Sequence, residues 1–251
     1  MSKRTEMREK RQRERVRNKI MMILFMVAGS LLIVFALILP TVQGVIDKAN
    51  ETEVPVIPIV PRMFDAPMDG TSIGDPSAPV RMDTWEDFQC PACVNFSQNV
   101  MSQIIDTYVE TGVLYYTFHF YPFIDNYVDT HESDQSASAA LCAGEQEAFW
   151  DYHDILFANW DGENDGAFAD KRLVRFAESL SLDMEAFNAC FEEGRYQDLI
   201  EQDFALGETS GVTSTPYVFI NMQRVLSQAG EQYVPGYEDI AAAIQAAMGG
   251  E

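Results

Sequence analysis

The sequence predicts an α/β fold, a sheet interrupted by a helical block, set behind one membrane-spanning helix. Three observations predict it. A strand-like run at Val80–Trp85 is followed by a helix-spaced run and by a second strand-like run at Val113–Tyr121. From about residue 132 to residue 208 apolar side chains recur at helical spacing, and strand character returns only at Pro216–Ile220. Ahead of both, Ile20 to Leu39 is a stretch of twenty residues without a charge.

Residues 1–19 form a basic tail with nine Lys/Arg against three Glu, whereas the rest of the chain carries eight basic and 36 acidic side chains. A helix of twenty residues is about 30 Å long, the thickness of a hydrocarbon core. Positive flanks stay on the cytoplasmic side. The expectation is a single-pass cell-membrane protein, with residues 1–19 in the cytoplasm, residues 20–40 anchored in membrane lipid and the acidic body outside. A cleaved signal peptide has an apolar core of about 7–15 residues and small residues at its cleavage site. Leu39-Pro40-Thr41-Val42-Gln43 offers no such pattern. A body this acidic repels phosphates, which excludes nucleic acid as a partner.

Residues 41–69 read as a linker, because Pro55, Pro58 and Pro61 forbid a helix and favour an extended tether. Its Val and Ile residues are more apolar than a free linker needs, so part of it packs on the domain or lies near the bilayer. The folded domain is expected over 70–251. After the strand at 80–85, Phe96, Val100, Met101, Ile104, Ile105 and Tyr108 mark a helix that Gly112 ends. The aromatic run 113–121 then reads as a buried strand. Successive amphipathic segments follow at 135–144, 147–160, 171–180, 183–193 and 196–206, and a last helix covers 237–248.

The chemistry-bearing motif is Cys90-Pro91-Ala92-Cys93, at the junction of strand and helix. With Cys90 as N-cap, Pro91 takes the first helical position, where its missing N–H costs nothing. The Cys90 sulfur then faces the free amides and positive dipole end of the helix, which favours the thiolate. Cys90 is expected to be the exposed attacking sulfur and Cys93 the buried one that resolves a mixed disulfide. A zinc site would need a second ligand pair. His119, His131 and His153 are scattered and Cys142 and Cys190 are far apart in sequence, so no metal is expected. Residues 161–166 carry acids at the first, third and fifth places of a calcium loop, but Arg172 stands where the bidentate Glu belongs, which leaves an acidic surface loop. His153, among Trp150, Tyr152, Leu156 and Phe157, reads as a packed residue.

Three blocks resemble DsbA-like thiol–disulfide oxidoreductases: Ala78-Pro79-Val80 through Cys93; Leu141 to Gln146 with Phe149-Trp150 and Tyr152-His153; and Gly211 to Pro216 with Phe219-Ile220-Asn221. The resemblance implies a thioredoxin-like fold with an inserted helical domain. It also implies a cis Thr215–Pro216 bond beside the thiols, where both residues would bind a substrate peptide. The implied activity is oxidation of cysteines in exported proteins without a cofactor, with a quinone-linked membrane oxidase as reoxidant. Some relatives carry a second disulfide in the helical block, which in an oxidising compartment points to Cys142–Cys190; the alternative is two separate buried thiols. Two departures stand out. Members often have an acid six positions before the first cysteine, where this chain has Thr84, with Asp83 and Glu86 nearby. The dipeptide Pro91-Ala92 also brings no histidine to the thiolate. A reductase or isomerase in the same compartment, and an anchored peptide-binding domain without catalysis, are the competing functions.

Overall fold

The computed structural model describes residues 55–127 and 130–249, together with Met21, Met22, Met26, Gly29 and Phe35. The chain divides into two compact units, Met1–Pro55 and Val56–Glu251. The basic tail and, except for those five helical residues, the expected anchor lie outside the described residues. Among the described residues no helix is long and apolar enough to cross a membrane.

The second unit is built on a six-stranded sheet of β1 (Met68–Asp69), β2 (Ser72–Ile73), β3 (Val80–Glu86), β4 (Leu114–Phe120), β5 (Tyr217–Ile220) and β6 (Gln223–Arg224). Their order is β1-β2-β4-β3-β5-β6. β3 and β4 run parallel, pairing Val80 with Leu114 and Trp85 with His119. A parallel pair needs a crossover, and α1 supplies it. This helix starts at Pro91–Phe96 and continues through two wider π turns, Ser97–Met101 and Ile105–Val109. β5 returns antiparallel on the other side of β3, pairing Thr84 with Val218.

Between β4 and β5 lie α2 (Glu132–Gly144), α3 (Phe149–Ala158), α4 (Asp170–Ser179), α5 (Met184–Glu192) and α6 (Gln197–Thr209); α7 (Tyr237–Ala247) follows the sheet. The starts of these helices have visible causes. Asp183 accepts from the amides of Glu185 and Ala186 and so caps α5. Asp125 accepts from the amides of Ser133 and Asp134 at the start of α2. A disulfide joins Cys142 on α2 to Cys190 on α5.

The insertion meets the sheet through aromatic side chains. Phe88, Phe118, Phe149, Trp150 and Phe157 pack around His153. At the β3 edge of this junction, Gly207 of α6 lies so close to Trp85 and Tyr121 that a Cβ there would meet their rings at 2.8 and 2.9 Å.

The folded unit begins earlier than residue 70. Val56, Ile59, Phe64 and Ala66 pack on the core. The Ile57 amide donates to Asn159 Oδ1, and Asn159 Nδ2 donates back to the Ile57 carbonyl. Glu110 accepts from the amides of Asp65 and Ala66. The prolines hold the segment extended and its Val, Ile and Phe side chains find apolar surface, so residues 56–66 form a strap across the domain.

Candidate active site

β3 ends at Glu86, and the Cys90 amide closes a turn onto the Asp87 carbonyl at 3.0 Å. Asp87 fixes that turn by accepting from the amides of Gln89 and Ile124, and burial pushes its carboxyl up to about 7. Cys90 is the N-cap of α1, with extended backbone and Pro91 at the first helical position. Gln89 is fully buried. Its side chain exchanges hydrogen bonds with Asn164, and its carbonyl accepts from Trp160 Nε1 at 2.7 Å. The loop 161–166 therefore exposes Asp161, Glu163 and Asp165 while its Asn164 braces the residue before the first cysteine.

Both motif cysteines are free thiols. Cys90 is only 6% exposed and Cys93 fully buried, so the expectation of an openly exposed Cys90 is corrected. The Thr215 and Pro216 side of the site covers it, and the Cys90 thiol reaches the Thr215 carbonyl at 3.5 Å. The Cys90 pKa is lowered to about 6, chiefly by a hydrogen bond from the Cys93 thiol. Burial opposes the shift, and the Thr215 hydroxyl and the amides of Cys93 and Ala92 add to it. The neighbouring thiol is thus the first cause, and amides of the helix start, from which the thiolate was expected to draw its support, add to it. Cys93 is pushed well above its ordinary value, first by burial and then by its bond to Cys90 and the nearby Glu86.

Glu86, which the sequence offered only as an acid near Thr84 with no role assigned, lies in the site. It is 2% exposed, and its Oε1 accepts from the Thr84 hydroxyl at 2.9 Å, with the Tyr116 hydroxyl at 3.4 Å. Its Oε2 has no hydrogen-bond partner, and the carboxyl interacts with the Cys93 thiol. Burial raises its pKa to about 8 against the opposing bonds from Thr84, Tyr116 and Cys93. A signal was available: residues two apart on a strand share a face. An acid at 86 therefore occupies the same side of β3 as an acid at 84 would, and the hydroxyl of Thr84 turns towards it.

The Thr215–Pro216 peptide is cis. Thr215 is buried, and its hydroxyl has no hydrogen-bond partner among the described residues. Beside the thiol lies a groove of about 320 Å³ whose lining includes Ala92, Thr215, Pro216, Tyr217, Arg224 and Tyr233. The three histidines lie apart from the thiols. His153 is packed among aromatics with Nδ1 on Asp154, and His119 sits between Asp83 and Asp203. Among the described residues, Asp125, His131 and Asp134 gather donor atoms within 4.8 Å of one another. The Asp125 oxygens are already taken by backbone amides of α2.

Comparison with known proteins agrees with this architecture. A family model described as Thioredoxin matches residues 66–246. The Na(+)/H(+) antiporter NhaA 3 of Salinispora tropica is 34% identical over 152 residues, which is 60% of this chain but only 21% of the antiporter. The chain thus spans about a fifth of that relative. The probable disulfide bond formation protein D of Bacillus anthracis is 24% identical over 154 residues, 60% of this chain and 69% of that one. The structure of oxidised BdbD from Bacillus subtilis superposes with a TM-score of 0.63 at 20% identity, covering 72% of this chain and 94% of BdbD. The chain belongs to the thioredoxin family, and its helical insertion gives it the DsbA-like form of that fold.

Proposed function

We propose that this chain is a protein disulfide oxidoreductase that works outside the cytoplasm, held at the membrane by residues 20–40, and passes a Cys90–Cys93 disulfide to reduced exported proteins. The observation that carries the reading is the inequality of the two thiols, one lowered to about 6 and the other raised far above it, with a buried acid beside the second.

In the oxidised state a substrate thiolate attacks Cys90 Sγ. The Cys90–Cys93 bond breaks and Cys93 leaves with its electron pair. Its thiolate is disfavoured in this buried place, and Glu86, neutral up to about pH 8, hands it a proton. A second substrate thiolate then attacks the substrate sulfur of the mixed disulfide. Cys90 departs as thiolate, which a pKa of about 6 favours. The substrate has gained a disulfide and the enzyme two electrons. Thr215 and Pro216 line the path of the bound peptide. Turnover requires a partner that removes those electrons, and a quinone-linked membrane oxidase has that chemistry.

Two observations support the compartment. The charge changes sign across residues 20–39, and the domain carries a second disulfide, which an oxidising environment preserves. A lowered Cys90 pKa stabilises the reduced form, which is the direction an oxidant requires. The test is oxidation of a reduced, unfolded protein by the full-length oxidised chain. Disulfides should form, and Cys90→Ser should abolish the exchange, because the sulfur that substrate attacks is gone. Oxidation that survives this substitution, or a potential below about −270 mV, overturns the proposal.

A further inference from the structure

The groove beside Cys90 carries charge on one wall. Arg224, on edge strand β6, stacks its guanidinium 4.6 Å from the centre of the Tyr217 ring, and its Nη2 donates to the Glu231 carbonyl at 3.3 Å. Among the described residues it forms no ion pair, whereas Arg195 is neutralised by Glu145 and Glu193. A guanidinium offers five donors in a planar fork that matches a carboxylate. One of the five is used here, and the stack on Tyr217 fixes the plane of the others. Of the residues lining the groove Arg224 is the basic one and Glu231 the acidic one, and the Glu231 carboxylate lies beyond ion-pair distance of the guanidinium. The volume, about 320 Å³, is that of a side chain or two and not of a long peptide.

The groove shares Thr215 with the reacting sulfur, whose thiol reaches the Thr215 carbonyl. Ala92, Thr215 and Pro216 form its near end and Arg224 stands on its wall. A substrate joined through sulfur to Cys90 must lay the residues next to its cysteine here. We propose that the site prefers substrate cysteines flanked by an aspartate or glutamate, and that Arg224 is the residue that recognises the carboxylate. The inference rests on the disulfide-exchange reading above and adds to it a substrate class. It runs against the overall charge of the body, eight basic and 36 acidic residues beyond residue 19. General attraction would therefore favour basic substrates, and any preference for an acidic one must come from a local contact.

The experiment uses the full-length oxidised protein and three two-cysteine peptides that differ only in the residue beside the first cysteine: Asp, Asn or Lys. The readout is the ratio of oxidation rates, in which a general loss of activity cancels. The wild type should oxidise the Asp peptide about fivefold faster than the Asn peptide, the effect of one partly exposed ion pair. Arg224→Gln should bring that ratio to one, and Arg224→Glu should make the Lys peptide the fastest. A wild-type ratio of one, or an Asp preference that persists in Arg224→Gln, overturns the assignment while leaving disulfide exchange standing. If no peptide is oxidised by the wild type, the exchange reading falls and this one with it.

Discussion

The two faces of β3 solve opposite problems with the same residue types. On one face Thr84 and Glu86 point towards Cys93 and Tyr116; on the other Asp83 and Trp85 meet His119 and α6. The second face is fully bonded. His119 lies 3.2 Å from Asp83 and 2.9 Å from Asp203, and its ring stacks on Trp85 at 4.3 Å. Asp203 also accepts from the Phe120 amide, and its carbonyl accepts from the Trp85 ring N–H. The first face is left incomplete, since Glu86 Oε2 and the Thr215 hydroxyl are both buried without partners. Both residues act on the thiols' charge: Glu86 lies beside Cys93, and the Thr215 hydroxyl lowers the Cys90 pKa. A clamp finishes its bonds in the resting state, whereas a reactive site postpones them.

Both faces hold a group whose pKa is raised, for contrary reasons, and pH separates them. For His119 burial acts downward, but the bonds to Asp203 and Asp83 outweigh it and lift the pKa to about 9 from 6.5. The folded state holds that proton more tightly, so the stabilisation is complete below pH 6.5 and is lost as pH rises through 9. Its size is about 3 kcal/mol. His119→Gln should lower stability at pH 7 by about that amount and remove the loss between pH 6.5 and 9. Denaturant melts across the range check it; a variant as stable as the parent at pH 7 would end the clamp interpretation.

Glu86 gives the second test. Its charged form is penalised by burial, so ionisation destabilises the reduced protein as pH rises from 4.5 through about 8. Glu86→Gln should be near neutral at pH 5 and stabilising by about 4 kcal/mol at pH 8. It should also slow the release of Cys93 in stopped-flow oxidation. A loss of stability at both pH values would instead make Glu86 a structural acid like those of the clamp.

The smallest effect is expected at Tyr116, whose hydroxyl lies 2.9 Å from Thr84 and helps hold the Glu86 carboxylate. Tyr116→Phe should cost about 1 kcal/mol and move the pH profile of the Glu86-dependent step upward. An unmoved profile would remove Tyr116 from the site's electrostatics.

What was legible in the sequence is what depends on neighbours along the chain. Val80–Trp85, the helix-spaced residues after Cys93 and the aromatic run to Tyr121 mark β3, α1 and β4 within a residue or two. Cys90 and Cys93 stand out because they lie three apart at a strand–helix junction. Contacts between distant residues left no such trace. His119 and Asp203 are 84 positions apart, and Gln89 and Asn164 are 75 apart. Nothing local says that an ordinary Asp on α6 closes a clamp, or that an acidic loop braces the redox motif. The Glu86 case is different in kind. Alternation along β3 was readable, but the expectation was tied to one position and not to one face. The Val and Ile residues of the strap from Val56 already pointed to packing on the domain, but which surface they meet depends on partners such as Asn159, 102 positions beyond Ile57.

Gly207 has a consequence for how the molecule comes apart. With no side chain between α6 and the rings of Trp85 and Tyr121, the inserted helices and the sheet share one tightly closed seam. Neither layer can loosen there without uncovering the other. Gly207→Ala is therefore expected to destabilise the insertion and the sheet together.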